Sequence, residues 1–459
     1  MKKKLNMLCS FLLIMIIMVT GGCSGKQAGE NSPSSQPQQK KEESGAKITV
    51  SPQMIGNENA SIELVWQPNP PHSLSDSNPK KLEYLTAKAT EWAQAHPDVK
   101  IKIMDTTTAI TESMAKTLVQ ASSGQAPDMG AIDSFIFPQF YDYVQPIDDV
   151  MQEKGIQIDD FYDFAKGVMK PQDETLGLWY TTDVRVLFYR KDLIPEAPKT
   201  WAEVEKIGND LKAKGMDAFI YTAARDEATV MSSVLPYFWG QGGTLVNDQG
   251  LPAFGEGDNR QYLIDQLTFQ KKCIDDGITP SRVVGFGTDP DYIPDVAAGQ
   301  VGMFVAGNYM AGQLSSVIGE DEYNKMWGVA QIPMKDEGSH VTASGGWVSA
   351  VFTKDEEKRK LCADFLISMY VDDEGMAGWC KAGGYLPTRE SVYDTDDYFN
   401  TDEVMQACRE ELKYAEVRPS VDSYTKISES LQIMLSDVLT GTSSPEEAVD
   451  NAFENALKE

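Results

Sequence analysis

Two carboxylates stand where an apolar strand has no ordinary use for them. Asp183 lies within Leu178-Trp179-Tyr180-Thr181-Thr182-Asp183-Val184-Arg185-Val186-Leu187-Phe188-Tyr189, and an acid in such a run needs a partner or a task. Asp133 closes the short run Met129-Gly130-Ala131-Ile132-Asp133. Trp66 ends Ile62-Glu63-Leu64-Val65-Trp66, at the strand terminus where open α/β sheets bind ligands. Other constellations carry less chemistry. Asp148 and Asp149 are adjacent, so they point apart and read as a helix start or solvated acids, not as a catalytic pair. His72, His96 and His340 are far apart, which argues against a histidine metal site. Gly240-Gln241-Gly242-Gly243 lacks both the Gly-Lys-Ser/Thr ending and the GxGxxG spacing of a phosphate loop. No metal or other cofactor is expected.

The elements that must position these residues follow from local pattern. Ile62–Trp66 reads as a strand, Asn78-Pro79 as a helix start, and Leu82, Leu85, Ala89 and Trp92 as its buried stripe. Val99, Ile101 and Ile103 then alternate as the next strand. This βαβ order predicts a mostly parallel sheet flanked by helices. A helix from Ile110 to Ser122 precedes the Asp133 strand, and the Asp183 strand leads into a helix begun by Thr200 and Glu203 and closed at Gly215. Thr353 with Glu356, and Ser444 with Glu447, have the same capping-box spacing. The apolar, aromatic run Val230–Trp239 reads as one helix.

At 459 residues, the chain suits two or three domains, and 41% hydrophobic with 24% charged residues is an ordinary globular composition. A formal charge of -28 argues against nucleic acid or an anionic membrane surface as partner. Lys2-Lys3-Lys4 before the apolar run Leu5–Val19 reads as a signal peptide over residues 1–22, with a run too short for a comfortable membrane span. Thr20-Gly21-Gly22-Cys23 resembles a bacterial lipobox, with Thr20 where that pattern usually has Leu. Cys23 is therefore expected to carry the lipid that anchors the chain to the membrane, and residues 23–46, without an aromatic, to be a flexible linker. Cys273, Cys362, Cys380 and Cys408 form no CxxC pair, and export leaves their disulfide pairing open.

Longer motifs add a resemblance. Tyr189-Arg190-Lys191-Asp192-Leu193-Ile194-Pro195, Pro198-Lys199-Thr200-Trp201-Ala202-Glu203, Ala297-Ala298-Gly299-Gln300-Val301-Gly302-Met303, Gly384-Tyr385-Leu386-Pro387, Arg418-Pro419 with Tyr424, and Ser444-Pro445-Glu446-Glu447-Ala448 recur in order. Together they resemble the extracellular solute-binding proteins of ABC importers, most of all the sugar branch that includes maltose-binding protein. The resemblance implies an α/β, two-lobed periplasmic-binding-protein-like fold of type II, each lobe a mostly parallel sheet flanked by helices, with hinge crossovers. Lobe one would be residues 47–180 plus 346–384, and lobe two 184–341 plus 388–459.

The same resemblance assigns a site. Asp133 and Asp183 would accept hydroxyl hydrogen bonds, for which carboxylates are suited. Trp66, Tyr309, Trp347 and Tyr424 would offer rings to the apolar face of a sugar, with Tyr180 and Arg418 beside them, whereas Trp239, Trp327 and Trp379 would be core. After Trp66 the chain has Gln67-Pro68-Asn69-Pro70-Pro71 in place of the charged loop of maltose-binding protein, and Ala223–Met231 is longer than its counterpart, so maltose itself does not follow. The implied protein is a monomeric, non-catalytic receptor on the extracytoplasmic face, of a Gram-positive surface by its linker. It would capture a carbohydrate, an oligosaccharide above all, and deliver it to a membrane permease. A peptide or polyamine cargo on the same fold, or an exported carbohydrate-active enzyme, are the alternatives.

Overall fold

A computed structural model describes residues 47–107 and 110–458. The signal peptide, the linker and the lipidation residue Cys23 lie outside the described residues. Within them the strands are β1 (Ile48–Ser51), β2 (Met54–Asn57), β3 (Ile62–Gln67), β4 (Val99–Ile103), β5 (Met129–Asp133), β6 (Leu178–Arg190), β7 (Asp217–Ile220), β8 (Val301–Gly307), β9 (Trp327–Ala330), β10 (Thr342–Val351) and β11 (Ala415–Val417). They follow one path, β1-β2-β4-β3-β5-β10-β6-β8-β7, with β11 joined to β10 and β9 to β6.

The βαβ unit is built as its sequence pattern dictates. The Asn78 side chain accepts the backbone N–H groups of Lys80 and Lys81, Pro79 opens the helix Pro79–Ala95, and Leu85, Ala89 and Trp92 are buried. This returns β4 parallel to β3, and β5 joins the other side of β3, also parallel. In the second lobe β7 and β8 are parallel.

Between the lobes the chain runs antiparallel. Residues 178–184 of β6 pair with β10, and residues 185–190 pair with β8 and β9, so one strand belongs to both lobes. A further segment crosses at Leu386, whose backbone exchanges two hydrogen bonds with Thr182 at 2.9 and 3.0 Å. The Asn308 side chain holds it there through Gly384 O at 2.7 Å.

Capping boxes form at Thr200–Glu203 and Ser444–Glu447. The one expected at Thr353–Glu356 does not. Asp355 caps the helix Glu356–Tyr370 by accepting the Lys358 N–H at 3.0 Å, and Glu356 turns to Arg359. The helix begins two residues later than that box requires, and the Thr353 hydroxyl accepts the Asp355 N–H at 3.4 Å instead. The expected helix Val230–Trp239 is divided into a wide π-turn, Val230–Val234, and a short α-segment, Leu235–Trp239. Pro236 lacks the N–H that a continuous ladder needs. Cys273, Cys362, Cys380 and Cys408 are all free and buried. Among the described residues no helix is long and apolar enough to cross a membrane.

Candidate functional site

The lobes enclose a cavity of about 320 Å³, at the small end of the range for ligand pockets. Its floor follows from ladder register. Trp347 of β10 stands directly opposite Asp133 of β5, and Gly345 opposite Asp183 of β6. Opposed residues share a face, as do residues two apart on a strand, so Asp133, Trp347, Gly345, Asp183 and Arg185 all face the same way. Gly307 of β8 lies opposite Arg185. Glycine leaves room for neighbouring side chains at two of these positions. A Cβ on Gly345 would come 2.9 Å from the Arg418 guanidinium, and one on Gly307 would come 2.2 Å from the Tyr309 ring and 2.4 Å from Arg185.

Two arginines organise the acids. Arg418 donates to Asp133 at 2.6 Å and to Glu227 at 3.0 Å, and lies over the Phe135 ring at 4.4 Å. Glu227 also accepts the Tyr424 hydroxyl at 2.6 Å and the Ser428 hydroxyl. Burial raises the Asp133 pKa to about 6, Arg418 opposing it and Glu227 adding to it. Burial works against the Arg418 charge, but Asp133 and Glu227 outweigh it and hold its pKa above the usual value.

Arg185 donates to Asp289 at 3.1 Å and sits 5.6 Å from the Tyr309 ring centre. Asp289 accepts in addition from the Tyr309 hydroxyl at 2.7 Å and the Gly307 N–H at 2.9 Å. Asp183 is served less well. Its nearest cation, Arg185, is 3.8 Å away, beyond hydrogen-bond length, and its Oδ1 is buried without a partner. Burial raises its pKa, with Arg185 opposing. On the other wall, His72 bridges the hydroxyls of Tyr180 at 2.7 Å and Tyr385 at 3.1 Å. Burial, then the charge of Lys81, lowers its pKa far enough to leave it neutral.

Of the sequence-derived candidates, Asp133, Asp183, Tyr309, Trp347 and Arg418 line this cavity together. Tyr309 and Trp347 are half-buried there, and Trp347 meets the His72 ring edge-on at 5.9 Å. Three candidates do not line it. Trp66 is 2% exposed and packs in the first lobe's core against Phe365 and Tyr370 of the covering helix. Tyr180 is the extra residue of a bulge. The β10 partner changes from Thr181 to Trp179 across it, and its ring turns to His72 and Tyr370. Tyr424 lies behind the wall, its hydroxyl on Glu227. Trp239, Trp327 and Trp379 are buried.

Arg185, Glu227, Asp289, His72 and Tyr385 line the cavity without having been singled out. Arg185 had a signal, since it follows Asp183 by two on the same strand. Glu227 falls in the lengthened segment Ala223–Met231, where no counterpart guides the eye. His72, between two short loops, has no local pattern that marks it. Among the described residues no group of three or more His, Cys, Asp or Glu side chains is placed to hold a metal ion.

Residues 87–407 match the profile of the bacterial extracellular solute-binding proteins. The maltodextrin-binding protein MdxE of Bacillus subtilis (strain 168) is 19% identical over 391 residues, spanning 82% of this chain and 87% of that protein. A galactooligosaccharide-binding protein of the same organism is 23% identical over 288 residues, spanning 61% of this chain and 65% of that one. Among solved structures, maltose-bound T. maritima MalE3 superposes with a TM-score of 0.74 at 22% identity, covering 86% of this chain and 99% of that one. That likeness extends the two-lobed α/β fold of type II binding proteins to this molecule. With the profile matched over more than two thirds of its length, the chain belongs to the family of bacterial extracellular solute-binding proteins.

Proposed function

We propose that this chain is the solute receptor of an ABC importer, capturing a carbohydrate in the interlobe cavity and delivering it to a membrane permease. One observation carries the reading. A single buried cavity joins a carboxylate with an unfilled hydrogen-bonding oxygen, Asp183, to two half-buried aromatic rings, Tyr309 and Trp347. Sugars present hydroxyl donors at their edges and an apolar C–H face, which such a pairing suits. The maltodextrin- and galactooligosaccharide-binding relatives support an oligosaccharide as cargo.

Lobe one would comprise residues 47–180 plus 346–384, and lobe two 184–341 plus 388–459, closing on the ligand about the crossing strands. Asp183, Trp347 and Tyr309 would touch the sugar directly, and Asp133 with Arg418 would brace the wall. A lipid on Cys23 would tether a monomer to the extracytoplasmic face, with residues 23–46 as its linker. The role is one of capture without catalysis: Asp133 is engaged by Arg418 at 2.6 Å and offers no free acid across a glycosidic bond.

A thermal-shift screen against mono- and oligosaccharides tests the reading. A sugar at a hundred times its Kd stabilises the fold by about 2.7 kcal/mol. Asp183→Ala should abolish most of that shift in an otherwise folded protein. A screen in which peptides or polyamines raise the melting temperature and no sugar does would overturn it.

A further inference from the structure

The charges lining the cavity do not balance. Among the described residues that line it, Asp133, Asp183, Glu227 and Asp289 stand against only Arg185 and Arg418, no lysine is present, and His72 is neutral. Three of the carboxyls are already engaged: Asp133 and Glu227 by Arg418, and Asp289 by Arg185, Tyr309 and the Gly307 N–H. Asp183 alone of the four accepts no hydrogen bond: its Oδ1 is buried without a partner and its nearest guanidinium nitrogen is at 3.8 Å. Rotation about the terminal bond of an aspartate is soft, so this oxygen turns to meet an arriving donor.

We propose that the cavity selects its saccharide by charge, taking an amino sugar ahead of its neutral parent and rejecting the acidic one, and that Asp183 sets this order. The inference rests on the saccharide reading above and names the class of sugar. A hydroxyl supplies the missing donor, whereas an ammonium supplies both donor and the positive charge that the lining lacks, which makes the stronger bond. A uronate carboxylate or sugar phosphate adds like charge where water is excluded and screening is weak. Arg185 offers such an anion no refuge. Its Nε is unpartnered, but the same guanidinium is in contact with Asp289 at 3.1 Å and near Asp183 at 3.8 Å.

The test is calorimetric titration of the folded chain near neutral pH with glucosamine, glucose and glucuronate, and with galactosamine, galactose and galacturonate. Within the series that binds, the amino sugar should bind about tenfold more tightly than the neutral one, and the acid at least about tenfold more weakly. Asp183→Asn keeps the shape and removes the charge, so it should compress that ranking, with its melting temperature confirming a folded protein. An acid that binds as well as its neutral parent overturns the charge selection while leaving the saccharide reading intact. A ranking unchanged in Asp183→Asn overturns the role of that residue. Absence of binding by all six overturns the selection, and peptides or polyamines binding instead overturns the saccharide reading with it.

Discussion

Asp133 and Asp183 occupy equivalent places on either side of β10, yet they have different chemistry because their partners differ. Asp133 is fastened to Arg418 at 2.6 Å, while Asp183 is left with an unfilled oxygen. Asp133 also makes a pH prediction with a definite sign. Its folded pKa of about 6 lies above the ordinary 3.8, so the folded chain holds this proton more tightly than the unfolded one. Its contribution to stability is therefore fully present below about pH 4 and is lost as pH rises through about 6. The full swing is at most about 3 kcal/mol. Melting temperatures of the wild type minus those of Asp133→Asn should fall across that window and level off above it. A difference that rises with pH would mean that Arg418 dominates burial at this site. The sequence showed both acids as anomalies, but no local pattern linked either to a particular arginine 285 residues distant, as Asp133 and Arg418 are. Tyr180 and Asp183 are three apart on a strand, and side chains alternate, so regular geometry already puts them on opposite faces.

At the scale of elements, β6 and β10 hold the site together, and their close approach depends on glycine. A Cβ at Gly346 would lie 2.1 Å from Thr181 O and 2.2 Å from the Trp179 indole nitrogen, which itself donates to Thr181 O at 2.9 Å. Backbone cannot yield as a flexible side chain can, so Gly346→Ala should cost about 1–3 kcal/mol or more in urea unfolding. Gly167→Ala, in the helix Asp163–Met169 with nothing within 4 Å of the added atom, is the control and should stabilise slightly. Equal effects from the two would show that the β6–β10 contact is loose. Elements of this kind were legible where the signal is local. The Asn78-Pro79 start, the Thr200 and Ser444 boxes and the β6 run all formed as their patterns required. Where two candidate caps lie two residues apart, as at Thr353 and Asp355, spacing alone does not say which one the helix start falls on; the helix begins at Glu356 and Asp355 caps it.

For the whole molecule, the two-lobed fold was implied by the resemblance that the ordered motifs carry together, not by any one of them. What the order could not supply was the lining of the cavity, which draws on residues from Asn69 to Arg418. Trp66 illustrates the gap: its strand end was placed correctly, but the helix Glu356–Tyr370, almost three hundred positions later, covers its ring. On the proposed reading, this cavity captures a carbohydrate between Asp183 and Trp347. Calorimetric titration of the wild type, Asp183→Ala and Trp347→Ala with the sugar found by thermal shift tests it most directly. The wild type should show one site per chain and each variant at least about tenfold weaker binding, a loss of about 1.4 kcal/mol or more. Unchanged affinity in both folded variants would contradict it.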